Sequence, residues 1–323
     1  MDDVPSRHIA LAVLVAAVWG VNFIAIDYSL DTFAPMFLVV VRFALIAIPT
    51  VLFVPRPAVP TRWLIGYGVG FGVLQFAFLY WGMSAGMPAG LASLVLQASA
   101  PFTVLLGATF LSERLSTRQV VGIVVAVTGL AVVGWQRAEH AAILPFLLTL
   151  AGAFGWAIGN VCNRQARTAD PFRLMLWMTV VPPIPMLAVS LLVEGPAEIG
   201  ESVRTAFTLD GLPADLGLLF TVVVATVLGS GVWTWLMSRY PASVVAPFSM
   251  LVPVVGMTTA WLMLDQSVRP VEIAGAVLVV SGVLFGSIRR SGRAQRVDRR
   301  GEPEDGGAEG SHGHDVERAT ADL

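Results

Sequence analysis

Residues 88–130 read PAGLASLVLQASAPFTVLLGATFLSERLSTRQVVGIVVAVTGL, and residues 241–283 read PASVVAPFSMLVPVVGMTTAWLMLDQSVRPVEIAGAVLVVSGV. One pattern is written twice. Each copy opens on a Pro-Ala pair, Pro88-Ala89 and Pro241-Ala242, and each carries a proline inside an apolar run, Pro101 and Pro253. A carboxylate follows twelve residues later in both, Glu113 and Asp265. Both continue with two glycines seven apart, Gly122 with Gly129 and Gly275 with Gly282. A duplicated membrane unit that holds a small molecule between its halves is the usual plan of a secondary transporter.

Composition supports a membrane protein. Hydrophobic residues make up 56% of the chain and charged residues 13%, with a mean hydropathy of +0.75. A soluble domain of this length needs far more surface charge. Charge-free stretches recur at the length of about 20 residues that a spanning helix needs. They predict an all-helical integral membrane protein with spans at 9–28, 34–54, 63–83, 88–111, 118–135, 143–162, 172–193, 215–237, 242–264 and 270–288. The first is expected to be a retained span, because no small-residue cleavage site follows a short apolar core. Two five-helix repeats, 8–135 and 141–288, are followed by a polar tail, 289–323, too poor in apolar residues to fold alone. The segment 194–214 is polar and reads as an exposed loop.

Arginine supplies every basic residue, 20 in all. With ten spans and a cytoplasmic N-terminus, fifteen of them fall on the cytoplasmic side and three (Arg137, Arg204, Arg269) outside. The positive-inside rule therefore predicts both termini in the cytoplasm of a bacterial inner membrane. Five is an odd number, so the second repeat is expected upside down relative to the first.

Several residues in the spans can carry chemistry. Proline in a helix removes the bond to the carbonyl four residues earlier. Pro101 thus frees the carbonyl of Gln97 and Pro253 that of Ser249, and in hydrocarbon these groups need a partner or a wet cavity. Either they serve a pathway or they mark plain kinks satisfied by neighbouring helices. The first and sixth spans also correspond, Trp19 and Asn22 in one with Trp156 and Asn160 in the other. A buried Asn must be bonded, as pathway lining or as packing glue. Gln75, Tyr80 and Trp233 are further pathway candidates. Arg42 is the one charge near the middle of a span and needs a partner. Two readings stand: an ion pair with Asp27, or a site for a substrate carboxylate. Cys162 is a lone cysteine and makes no intramolecular disulfide. No metal-ligand cluster, Lys-bearing phosphate loop or buried catalytic set is present in the sequence, so no cofactor, nucleic-acid partner or enzymatic role is expected.

The stretches WGVNF (19–23), RF (42–43), GYG (66–68), 87–115 and RYPASVVAPFSMLVPVVG (239–256) resemble the EamA family of the drug/metabolite transporter superfamily, most closely its O-acetylserine/cysteine exporters. The resemblance covers residues 8–288. It implies ten helices, two inverted repeats and efflux of small metabolites. Members often carry Lys where this chain has Asp27, and Gly-Glu where it has Ser112-Glu113 and Asp265-Gln266. The expected function is export of small zwitterionic metabolites, cysteine or O-acetylserine among the candidates, by a protein that contacts membrane lipid. A broad-range drug or toxin exporter and a non-transporting scaffold or sensor are the alternatives. Ion coupling and assembly, a homodimer included, are left open by the sequence.

Overall fold

The computed structural model describes residues 5–287, apart from 141, 207 and 241. Among these residues ten helices are long and apolar enough to cross a membrane. The first five are Ser6–Leu30, Pro35–Phe53, Thr61–Ser84, Ala89–Phe110 and Thr117–Gln136. The second five are Leu144–Ala166, Pro171–Val193, Leu212–Arg239, Ala246–Met263 and Pro270–Ser287. No strand occurs among the described residues. Each expected span is present to within four residues at either end. The expected tail, 289–323, lies outside the described residues. Helix starts follow local chemistry. Pro35, Pro171 and Pro270 open their spans, where a missing N–H costs nothing, and Asp170 accepts from the Arg173 N–H at 3.0 Å as an N-cap.

Four spans leave the ordinary α-helix, and they do so in matched positions. The third and eighth widen into π-helix at Gly68–Gln75 and Phe220–Gly229. The fourth and ninth tighten into 3₁₀ turns at Leu96–Ala98 and Ala246–Met250, just before Pro101 and Pro253. Such departures concentrate at functional positions.

The duplicated glycines meet one another. A Cβ on Gly122 would lie 2.5 Å from the Gly282 carbonyl oxygen, and one on Gly129 would lie 2.7 Å from that of Gly275. The fifth and tenth spans therefore run antiparallel with their backbones in contact, and the seven-residue spacing in each is the register of that contact. The fourth and ninth spans are antiparallel too. Gly90 faces Met257 and Ala260, Ser93 faces Gly256, and Gln97 reaches Ser249.

The fourth and ninth spans end alike, in a way that corrects one reading of the sequence. The N–H groups of Leu111 and Glu113 both bond the carbonyl of Gly107, and those of Leu264 and Gln266 both bond that of Ala260. Between them Ser112 and Asp265 hold the left-handed conformation, at φ +53° and +54°. This is the glycine-type helix stop, with Ser and Asp where glycine fits best. Asp265 is thus the counterpart of Ser112, and Gln266 that of Glu113. The equal spacing of the two carboxylates from their prolines is not structural equivalence.

The segment 194–214 is not an open loop. It contains a helix, Gly195–Thr205, with Ser202 buried and Ile199 half-buried, and Ala206 is buried just past its end. Glu194 accepts from the Met36 N–H and from the Phe37 N–H at 3.0 Å, and Ser202 accepts from the Ala34 N–H at 3.0 Å. A carboxylate on the free N–H groups of the second span is stabilised by their partial positive charge.

A non-glycine residue in the left-handed region costs about 1–2 kcal/mol. Ser112→Gly should therefore raise stability by about 0.5–1 kcal/mol after glycine's extra freedom in the unfolded chain, and Ser112→Val should lower it. Thermal unfolding in detergent, followed by tryptophan fluorescence, checks this. A lower midpoint for the glycine variant would contradict the assignment.

Candidate functional site

The centre of the bundle is organised by Arg42, which is 4% exposed. One terminal nitrogen donates to the Tyr80 hydroxyl, and the other donates to Thr226 Oγ1 at 3.0 Å. The guanidinium carbon lies 3.9 Å from the centroid of the Phe76 ring, within cation–π range. The expected ion pair with Asp27 is absent. Neither residue belongs to any ion pair among the described residues, and Asp27 is only half-buried. Sequence gives the depth of both side chains but not the direction each faces around its helix. Arg42 turns toward the third and eighth spans.

The eighth span's π-helix supplies the rest of the network. Its wide turn places Thr226 Oγ1 to donate to the Thr221 carbonyl at 2.7 Å, five residues back. Thr221 Oγ1 donates to Asn22 Oδ1 at 2.7 Å. Trp19 donates its indole N–H to the Ala225 carbonyl at 2.9 Å and packs on Trp233, with ring centroids 5.1 Å apart. Trp19, Asn22, Arg42, Tyr80 and Trp233 are thereby joined across the first, second, third and eighth spans. Gln75 lies in the third span's π-helix, next to Phe76. Its side-chain oxygen and the Arg42 Nε are buried without a hydrogen-bond partner among the described residues. Thr221, Thr226 and Phe76 are absent from the sequence-based set. The five-residue spacing of the two threonines matches a π-turn and is the one signal that points to them.

Gln97 and the carbonyl freed by Pro253 form a second cluster. The Ser249 carbonyl freed by Pro253 accepts from Gln97 Nε2 at 3.3 Å, so the residue four before one duplicated proline serves the carbonyl freed by the other. Pro101 and Pro253 are both buried. Asn160 stands apart from both clusters. It donates to Thr103 Oγ1 at 3.2 Å, tying the sixth span to the fourth, while Trp156 packs edge-on against Phe71.

Ten apolar spans, irregularities repeated five spans apart and a buried cation bridging several of them define a multi-pass membrane transporter. The profile described as the EamA-like transporter family matches residues 6–135 and again 143–288. A relative from Salmonella typhimurium named "Probable amino-acid metabolite efflux pump" is 43% identical over 88% of this chain and 97% of the relative. One of the same name from Escherichia coli is 42% identical over 84% and 92%. A "Probable terminal-alkyne amino-acid exporter" from Streptantibioticus cattleyicolor is 25% identical over 92% and 98%. A crystal structure sharing 17% identity superposes with a TM-score of 0.58 over 87% of this chain and 96% of the other, a likeness of fold alone. The chain belongs to the EamA-like transporter family.

Because Asp27 is not the partner of Arg42, Asp27→Asn should shift stability by no more than about 0.5 kcal/mol. Tyr80→Phe and Thr226→Val each take a partner from a buried charged donor and should cost about 1.5–3 kcal/mol. Unfolding midpoints of the three variants in detergent decide the point. A loss in Asp27→Asn as large as in the other two would restore the ion pair.

Proposed function

We propose that this protein exports small zwitterionic amino-acid metabolites, of the size and charge of cysteine or O-acetylserine, across a bacterial inner membrane with both termini in the cytoplasm. The observation that carries the reading is Arg42. A guanidinium within a span costs about 2.5–3.5 kcal/mol or more unless it is compensated. Here it holds two hydroxyls and an aromatic face but no carboxylate, and its Nε is unbonded. A substrate carboxylate supplies the missing charge and accepts from that nitrogen. The other end of a zwitterion is an ammonium, which seeks neutral acceptors. The Gln75 side-chain oxygen, buried without a hydrogen-bond partner among the described residues, is such an acceptor. The names of the Salmonella and Escherichia relatives agree with this substrate class.

Alternating access follows from the paired spans. The fourth and ninth touch antiparallel, as do the fifth and tenth, and the fourth and ninth each carry one of the matched 3₁₀ turns. Two inverted five-helix halves, 8–135 and 141–288, that exchange conformations would open the same central groups to either side. The arginine asymmetry supports cytoplasmic termini, and export rests on the names of the relatives. One cation in the pathway suits a single carboxylate and is too few for phosphorylated or nucleotide substrates.

An untargeted comparison of secreted metabolites from cells with and without the protein tests the substrate class. Amino-acid metabolites should be enriched outside expressing cells, and Arg42→Leu should abolish the enrichment at an unchanged membrane level. Enrichment only of cationic or uncharged compounds, or full export by Arg42→Leu, would overturn the reading.

A further inference from the structure

Two cavities meet at one end of the ninth and tenth spans, away from the Arg42 network. The larger, about 610 Å³, is a crevice between these spans. Pro253, Val254, Met257 and Trp261 form one wall, and Ile273, Val277, Val280 and Leu284 form much of the other. Its two hydroxyls are already used within their own helices, Thr258 on the Val254 carbonyl and Ser281 on that of Leu278. The crevice therefore asks nothing of an occupant but apolar surface. Val254, Trp261 and Val277 are exposed on helices that cross the membrane, so it opens toward lipid.

The smaller cavity, about 350 Å³, lies at the span ends and shares Met257 and Val268 with the crevice. It is lined by Gln136, Asp265, Gln266, Arg269 and Glu272. Its charges are of both signs and do not neutralise one another, since no ion pair among the described residues involves Asp265, Arg269 or Glu272. Glu272 is 5% exposed. One of its oxygens accepts from the Arg269 N–H at 2.9 Å. A pocket with one unengaged guanidinium and two carboxylates fits a head that carries both an anion and an ammonium.

We infer that the two cavities form a single site for an ammonium-bearing phospholipid of the phosphatidylethanolamine type. Arg269 takes the phosphate, Asp265 and Glu272 take the ammonium, and the crevice takes an acyl chain. The dimensions agree. From Ile273 to Leu284 the lining residues recur on one helix face, a run of about 16 Å at 1.5 Å per residue. That is about half of a hydrocarbon core of ~30 Å, the depth of one leaflet. The polar pocket sits at the helix termini, where headgroups lie. A purely anionic lipid would face the two carboxylates with nothing to offer them, and a small zwitterion without a tail would leave the crevice unused.

The test uses the full-length protein in mild detergent, delipidated and then offered phosphatidylethanolamine, phosphatidylglycerol or phosphatidylcholine, with native mass spectrometry counting bound lipid. Phosphatidylethanolamine should bind as one molecule per chain, about tenfold more tightly than the other two. The double change Asp265→Asn with Arg269→Gln should erase that preference. Val277→Trp fills the crevice from an exposed position and should weaken binding about tenfold without altering the unfolding midpoint measured in the absence of lipid. Equal binding of all three lipids by the unaltered protein would show annular contact only and overturn the site. So would unchanged phosphatidylethanolamine binding in both variants. Free phosphoethanolamine that raises the unfolding midpoint as much as the lipid does would overturn the role of the crevice. None of these readouts depends on transport.

Discussion

Hydrocarbon offers no hydrogen bonds, so any backbone carbonyl that loses its helical partner inside a span must be given another. Much of the interior answers this constraint. Pro253 frees the Ser249 carbonyl and Gln97 fills it. The eighth span widens, and Thr226 serves the Thr221 carbonyl while Trp19 serves that of Ala225. Each donor sits on the bundle's interior, where spans are drawn together. The interruptions in the helices and the polar contacts between helices are thus one feature seen from two sides.

Arg42 is where this arrangement acquires a charge. Its partners Tyr80 and Thr226 come from the two sequence matches to the family, one in the third span and one in the eighth. Both hydroxyls lie in or just beyond a π-helix, so a movement of either span alters what the guanidinium meets. A carboxylate partner within the protein would have fixed the charge permanently. Neutral partners hold it in place and leave its electrostatic demand open, which is the condition a transported anion group requires.

How much of this was legible in the sequence depends on the kind of signal. The ten spans follow from charge-free length, which is written in composition, and the glycines seven apart are visible as a repeated spacing, but only the fold shows that they set the register of an antiparallel contact. The role of Gln97 was half legible. Proline marks the freed carbonyl of Ser249, but only the fold shows that the donor is the side chain four residues before the other proline. The direction of Arg42 is not legible, since depth along a helix can be counted while its rotation is set by packing, so the sequence cannot decide against the pair with Asp27 that the fold lacks. The π-helices leave little trace in the sequence, because i→i+5 bonding is a backbone property and only the five-residue spacing of Thr221 and Thr226 hints at it. The helix Gly195–Thr205 was hidden because its inner stripe includes a serine whose value lies in bonding Ala34, not in apolar burial.

The central claim is that Arg42 meets the carboxylate of the transported molecule. Competition in everted membrane vesicles tests it most directly, with uptake of labelled O-acetylserine challenged by unlabelled amino acids and by the matching amino-acid amides, which keep the ammonium but lack the carboxylate. The account predicts that the amino acids compete and that the amides fail, by about tenfold or more in the concentration needed, the factor for one charge-assisted contact of roughly 1.4 kcal/mol or above. Amides that compete as well as the amino acids would contradict it.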